Sequence, residues 1–172
     1  MRDYSRIGLN TLLRNGANLS SVLHNLFQTD SDTLEKINQT IRQLPEEPFA
    51  NINFVTTDLN DVLLGFRPGD GNSSDGKIID ARLLSGGTLR MLGVLTALKT
   101  VPEGSRIVIE EFDNGLHPSR AKLLTKTLFE CAERRKLNVL VTTHNPALLK
   151  HWKTNTWKMS FYAIGMKMVT QN

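Results

Sequence analysis

The chain has 172 residues, a mass of 19.3 kDa and a formal net charge of +4, and 40% of its residues are hydrophobic. This composition supports one domain with a packed core and excludes a chain that is disordered throughout. No stretch approaches the roughly 18 consecutive apolar residues of a membrane span, the amino terminus lacks the pattern of a secretory signal, and a single cysteine, Cys131, excludes a disulfide framework. We therefore expect a cytoplasmic protein with no membrane segment.

The positive charge is concentrated at the carboxyl end. Residues 150–172 contain four lysines and no acidic residue, and removing those four from the 21 lysines and arginines leaves 17 basic residues against 17 acidic ones. A neutral body with a basic tail lacks the broad positive face of a DNA-binding domain. We do not expect this segment alone to bind nucleic acid.

Two amphipathic helices are predicted first along the chain. Residues 18–29 place leucines and a valine at helical spacing behind a candidate cap, Asn18. Residues 32–44 repeat the pattern, and Asp32 with Glu35 three positions later resembles a capping box. The apolar stripe of this second helix consists of Leu34, Ile37, Ile41 and Leu44.

Short strands and a loop come next. Alternating apolar residues predict strands over Phe49–Val55 and Asp61–Phe66. The segment from Arg67 to Lys77 is rich in glycine, serine, asparagine and aspartate, which is typical of a loop. A buried helix is then predicted to open at about Thr88, with Leu89, Leu92, Leu95 and Leu98 spaced three apart.

The second half of the chain has the pattern of an α/β fold. The β-branched run Arg106–Glu111 and the run Asn138–Thr143 predict two strands that are buried on both faces of a parallel sheet. Between them, residues 118–136 predict a helix that begins with a proline and ends with basic residues. A short helix is predicted from Pro146. Strand, helix, strand and helix in this order indicate a parallel sheet with crossover helices.

Polar side chains follow both predicted parallel strands. Glu110 and Glu111 end the first strand, and His144 follows the second. Ligands gather at the carboxyl ends of parallel strands, and alternation along a strand predicts that the two carboxylates point to opposite sides. Two solvated acids at the end of a strand are the alternative.

A glycine-rich run precedes the predicted third helix. Ser85, Gly86 and Gly87 lie directly before the residues that should open it. A helix amino terminus presents unpaired N–H groups and the positive end of its dipole, and glycines let a phosphate approach the backbone. An ordinary helix cap is the alternative.

Three motifs together resemble a known family. LLSGGT resembles an ABC signature motif, IVIEEFDNGLHP resembles a Walker B strand with the following D-loop, and VLVTTHNP resembles a switch-histidine strand. In order and spacing they are similar to the ATPase heads of the ABC and structural-maintenance-of-chromosomes type, particularly the bacterial AAA-like branch that includes overcoming-lysogenization-defect ATPases. The likeness is close over residues 83–149 and only general over residues 8–66. It implies an α/β fold with part of a P-loop NTPase sheet.

The resemblance implies roles for the residues that match. Glu110, where the family usually has Asp, would hold Mg²⁺ through its water shell, Glu111 would orient and deprotonate the attacking water, and His144 would contact the γ-phosphate of ATP. The residues implied to cap the γ-phosphate of ATP held by the opposite subunit are Ser85, Gly86, Gly87 and Thr88. Those implied to lie in the D-loop at the dimer interface are Asn114, Gly115 and His117.

One part of such a head is missing from this sequence. The phosphate-binding loop, G-x-x-x-x-G-K-[S/T], does not occur, and the single Gly-Lys pair, Gly76-Lys77, is followed by Ile78. We therefore expect one incomplete ATPase domain, with a helical and short-strand segment over 1–82, the motif core over 83–149 and a basic tail over 150–172. The expected partner is a second copy of the chain in a homodimer, or a second chain that supplies the Walker A half. The expected cofactors are ATP and Mg²⁺, and the complete system could act on nucleic acid.

Other interpretations stay open at this point. The chain could be a gene fragment or degenerate copy, half of a split head, or a non-catalytic interaction module that keeps the dimer-facing surfaces. A metal-dependent nuclease using Glu110, Glu111 and His117 is a further hypothesis, although no other acidic cluster accompanies them. The tail is either a final strand, since Trp157 to Ala163 alternates, or a segment unrelated to the ATPase pattern.

Overall fold

The chain folds as two compact units, Met1–Val101 and Pro102–Asn172. The computed structural model describes residues 5–6, 11–44, 49–56, 61–69, 77–143 and 145. Over that part of the chain, no helix combines the length and the apolar character needed to cross a membrane. The predicted position of His144, the helix from Pro146 and the strand in the tail lie outside the described residues.

The first unit begins with two helices, α1 (Leu19–Thr29) and α2 (Ser31–Ile41). The predicted first helix is confirmed, and Asn18 occupies its cap position without capping it. The Asn18 side chain instead accepts a hydrogen bond from the Leu13 N–H (2.8 Å) and donates one to the Thr11 carbonyl (2.7 Å). It therefore fixes the segment that leads into α1.

The cap of α2 differs from the prediction. Asp30, not Asp32, caps the helix, because its carboxylate accepts the Thr33 N–H at 3.0 Å. Hydrogen bonds from the side chain and the backbone N–H of Thr33 hold the pKa of Asp30 below its usual range. Glu35 does not close a capping box; it forms an ion pair with Arg42 at 2.7 Å. The apolar stripe predicted for this helix is buried throughout.

An antiparallel sheet completes most of the first unit. Its strands are β1 (Ser5–Arg6), β2 (Phe49–Thr56), β3 (Asp61–Pro68) and β4 (Ile79–Asp80), and β3 pairs with all of the others. The predictions of β2 and β3 are confirmed. A Cβ at Gly65 in β3 would collide with the Ile78 side chain, so the close approach of the segment that enters β4 requires glycine there.

Polar side chains of α2 and of Arg42, the residue that caps its carboxyl end, satisfy backbone groups of β2 on the edge away from β3. The buried Asn38 side chain accepts the Ile52 N–H at 3.0 Å, and Arg42 Nε donates to the Ala50 carbonyl at 2.8 Å. Such side chains block the pairing of a free edge with another strand.

Helix α3 (Gly86–Thr100) ends the first unit. It begins two residues before the predicted start at Thr88, because Ser85 caps it and both glycines are helical. The four leucines predicted to be buried are Leu89, Leu92, Leu95 and Leu98, and all are at most 5% exposed. The helix prediction is therefore confirmed in kind and burial, and wrong in its first turn.

The second unit contains β5 (Arg106–Ile109), α4 (Pro118–Arg134) and β6 (Asn138–Val141). The two strands are parallel and pair from Arg106↔Asn138 to Ile109↔Val141, with α4 between them in sequence. This confirms a mixed α/β fold with a parallel pair and a crossover helix that begins with proline. Cys131 on α4 is 1% exposed and packs as a small apolar residue.

The prediction that both strands are buried on both faces is wrong. Ile107 and Ile109 are buried, but Val108 is 56% exposed and Leu140 is 39% exposed. Val108 and Leu140 are register partners, so they form one apolar patch on the same face. Apolar residues on both faces of a strand make burial of either face favourable. They do not determine which face another part of the protein covers.

We predict that the 172-residue chain self-associates through the Val108–Leu140 patch, because parallel sheets are normally covered on both faces. Val108→Lys should weaken self-association in sedimentation velocity. Val55→Lys is the matched control, since Val55 is 48% exposed on β2 of the first unit. A wild-type chain that sediments as one monomer and melts cooperatively would contradict this prediction.

Candidate functional site

The candidate site begins where β5 and β6 end. β5 ends at Ile109, so Glu110 and Glu111 lie in the following turn, and both are exposed. The predicted strand therefore does not extend to the two carboxylates, and strand alternation does not set their directions. Because the strands are parallel and Ile109 pairs with Val141, this turn shares a sheet edge with the residues that follow β6.

The backbone of Glu111 adopts an unusual conformation. Its φ is 48°, in the left-handed region, and Lys136 is the only other non-glycine residue with a positive φ in the part of the chain that the structure describes. This conformation costs a non-glycine residue about 1–2 kcal/mol. Such a conformation persists only where contacts with neighbouring groups stabilise it.

Thr142 supplies those neighbouring groups. Its hydroxyl oxygen accepts the Glu111 N–H at 2.9 Å, and its carbonyl accepts the Phe112 N–H at 2.9 Å. Its own N–H donates to the Ile109 carbonyl at 3.0 Å. The Phe112 side chain is fully buried, which anchors the middle of the turn. One residue after β6 thus fixes the turn after β5.

The Glu111 carboxylate contacts the predicted D-loop. Asn114 Nδ2 donates to Glu111 Oε2 at 2.8 Å, and the Asn114 N–H donates to the Glu111 carbonyl at 2.9 Å. Gly115 follows with a φ of 74°, which glycine adopts without strain. Two of the predicted site residues, Glu111 and Asn114, are therefore brought together in a single turn.

A second threonine ties the same loop. Thr143 Oγ1 donates to Asp113 Oδ1 at 2.5 Å and accepts the Asn145 N–H at 3.0 Å. No role was predicted from the sequence for Thr142, Thr143 or Asp113. The available signal was two hydroxyl residues directly after an apolar strand, at the sheet edge where ligands gather.

His117 occupies the cap position of α4. Its side chain is exposed, and its Nδ1 lies 2.7 Å from Ser119 Oγ. Among the residues that the structure describes, no three His, Cys, Asp or Glu side chains form a group that could hold a metal ion. The nuclease hypothesis, which needs Glu110, Glu111 and His117 together, gains no support from this geometry.

The predicted signature residues lie in the first unit, at the amino terminus of α3. Ser85 Oγ accepts the Thr88 N–H at 3.1 Å and lies 2.8 Å from Thr88 Oγ1, so Ser85 is a helix cap. Ser85 and Gly86 are exposed, whereas Gly87 and Thr88 are buried. Among the described residues, none has an atom within 4 Å of a Cβ placed at Gly86, so the space on that side of Gly86 is open.

The segment before this cap is held by an ion pair. Arg82 Nε lies 3.0 Å and 2.9 Å from the two carboxylate oxygens of Asp80, and this contact holds the pKa of Asp80 below its usual range. Because the folded-state pKa is lowered, the pair contributes stability above the ordinary pKa of aspartate and loses it as the pH falls. Leu83, between this pair and Ser85, is 79% exposed.

Comparison with known proteins identifies a family. The family model described as "AAA domain, putative AbiEii toxin, Type IV TA system" matches residues 15–150. No curated protein gives a significant match. The family match covers more than half of the chain, and the chain belongs to this AAA domain family. Membership indicates nucleotide binding and hydrolysis in general.

Proposed function

We propose that this member of the AAA domain family binds and hydrolyses ATP as the carboxyl-terminal part of an ABC/SMC-like head that acts across a dimer interface. The observation that carries the proposal is the arrangement of Glu111 at the carboxyl edge of the β5–β6 pair, tied to the first residue after β6. Ligands of open parallel sheets bind at this edge.

Glu111 is the proposed base that orients and deprotonates the attacking water. Its carboxylate is exposed and is held by the neutral amide of Asn114. A positioned carboxylate can orient and deprotonate the attacking water in phosphoryl transfer, where catalysis otherwise consists of positioning and charge stabilisation. The His144 side chain is the proposed γ-phosphate contact; it follows Thr143 in sequence and lies outside the described residues.

Glu110 is the proposed carboxylate for Mg²⁺. It is exposed beside Glu111, and Mg²⁺ in phosphoryl-transfer sites is commonly held by one or two carboxylates together with waters and substrate phosphates. The donor set therefore fits the ion. When bound, Mg²⁺ would neutralise charge on the β- and γ-phosphates.

The amino terminus of α3 is the proposed contact with nucleotide held by the opposite subunit. The exposed Ser85 and Gly86 lie at the positive end of a 15-residue helix. An added Cβ at Gly86 would be unobstructed by the described residues, and an unobstructed helix amino terminus is a suitable place for a phosphate. The D-loop residues Asn114, Gly115 and His117 are the proposed dimer contacts from the second unit.

A phosphate-binding loop must come from outside the 172 residues. A segment joined to this chain, or a different chain, would supply the Walker A lysine and backbone N–H groups. A non-catalytic interaction module is the second candidate, and the exposed Leu83 beside the signature residues favours it.

We predict that the purified 172-residue chain releases phosphate from ATP at the background rate. A reconstituted head, in which a segment bearing a phosphate-binding loop is fused or co-expressed, should hydrolyse ATP in a Mg²⁺-dependent reaction. Turnover by the chain alone that Glu111→Gln abolishes would contradict the need for the added segment. A reconstituted head that associates without binding ATP would instead support the interaction module.

A further inference from the structure

We propose that Thr142 is a positioning residue for Glu111, and that its hydroxyl fixes the backbone from which the catalytic carboxylate projects. This inference rests on the proposed ATPase function. None of the three motifs assigns a role to Thr142. The inference follows from its hydrogen bond to Glu111, which lies 31 positions away in sequence.

The backbone conformation of Glu111 helps to set where its carboxylate lies. A left-handed φ of 48° turns the chain sharply after β5, so the carboxylate leaves the sheet edge in a direction that an extended residue would not give it. The Glu111 N–H would lose its observed partner without the Thr142 hydroxyl. The hydroxyl therefore stabilises this backbone conformation against extended alternatives.

Three hydrogen bonds between the two strand ends converge on Thr142. Thr142 uses its N–H, its carbonyl and its hydroxyl, and their partners are Ile109, Phe112 and Glu111. The two backbone bonds would form with any residue except proline, but the bond to Glu111 needs a side-chain acceptor at this place. Only that third bond is sensitive to the choice of threonine.

Glu111 is held at both ends, by Asn114 at its carboxylate and by Thr142 at its backbone. Asn114 holds the carboxylate end of Glu111 at 2.8 Å, and Thr142 holds its backbone end at 2.9 Å. A water-orienting group must be held within a fraction of an ångström, because small displacements reduce rates strongly. Releasing the backbone end would remove one of these two contacts and loosen the position of the carboxylate.

Three variants separate this role from a general effect on folding. Thr142→Val keeps the branched shape and removes the hydroxyl, and Thr142→Ser keeps the hydroxyl. Thr143→Val makes the same change one residue along, where the hydroxyl contacts Asp113 and Asn145 rather than Glu111.

The first readout is amide hydrogen exchange at Glu111 in the 172-residue chain. Thr142→Val should speed this exchange about tenfold, because it removes one hydrogen bond of ordinary strength that protects the Glu111 N–H. Thr142→Ser and Thr143→Val should keep the wild-type rate at Glu111. Equal exchange in Thr142→Val and wild type would overturn the proposal.

The second readout is steady-state ATP hydrolysis by the reconstituted head. Thr142→Val should lower kcat about tenfold or more with little change in KM for ATP, and Thr142→Ser should restore kcat. An active wild-type head whose kcat is unchanged in Thr142→Val would overturn the positioning role. An inactive wild-type head, with the Glu111 exchange pattern present, would instead overturn the proposed ATPase function.

Discussion

Glu111→Gln should lower ATP turnover by the reconstituted head by about 10²–10⁴-fold while ATP binding is kept. The amide preserves the size of the side chain, and its carbonyl oxygen can still accept the hydrogen bond that Asn114 Nδ2 donates at 2.8 Å. What is lost is the anionic oxygen that is proposed to orient and deprotonate water. Single-turnover phosphate release with labelled ATP measures the chemical step directly.

A surface carboxylate provides the control for this substitution. Glu103 is exposed in the turn before β5 and makes no contact with the Glu110–Asn114 turn that the structure records. Glu103→Gln should leave turnover and ATP binding at wild-type values. If Glu111→Gln changes turnover no more than Glu103→Gln does, Glu111 is a solvated acid at a strand end, and the water-activating role is wrong.

Ser85→Arg should abolish nucleotide-dependent dimerisation of the reconstituted head. A bulky side chain at the amino terminus of α3 fills the open space in front of Gly86, where the proposed γ-phosphate of the opposite subunit would lie. ATP hydrolysis should then stay at the monomer rate as the protein concentration is raised. The wild-type rate per head should instead increase with concentration.

Two smaller substitutions separate this effect from the loss of a helix cap. Ser85→Ala removes the hydroxyl that accepts the Thr88 N–H and should cost about 1 kcal/mol of stability. Gly86→Ala adds a methyl group that the described residues do not obstruct, so a dimerisation defect in this variant would indicate that another subunit or its nucleotide approaches Gly86. Normal dimerisation by Ser85→Arg would leave Ser85 as a helix cap alone.

The sequence predicted the elements of the first unit well because their patterns are local. Alternation gave β2 and β3, and leucine spacing gave the buried face of α3. The helix starts were less accurate. Three consecutive residues around the start of α2, Asp30, Ser31 and Asp32, are all of good capping types, and the choice among them depends on the backbone where α1 ends rather than on residue type.

The faces of the parallel strands could not be predicted from composition. Val108 is as apolar as its neighbours Ile107 and Ile109, yet only the two isoleucines are buried. An apolar residue shows that burial is favourable, but the covering group comes from distant sequence or from another chain. The exposed register pair Val108–Leu140 is thus a result that only the structure could give.

The candidate site was predicted in part. The motifs identified Glu111 and Asn114, which the structure brings together. They did not identify Thr142, because its bond to Glu111 spans 31 residues and depends on the register of β5 and β6. Nor could residue type reveal the left-handed φ of Glu111, which glutamate rarely adopts.

The most direct test of the ATPase head is size-exclusion chromatography of two reconstituted variants with and without Mg²⁺-ATP. Glu111→Gln should elute as a dimer with ATP, because bound nucleotide is no longer hydrolysed and the two heads stay closed around it. Ser85→Arg should elute as a monomer under both conditions. Identical elution of the two variants with ATP would contradict the account, since it would remove the distinction between the proposed water-activating and nucleotide-capping roles.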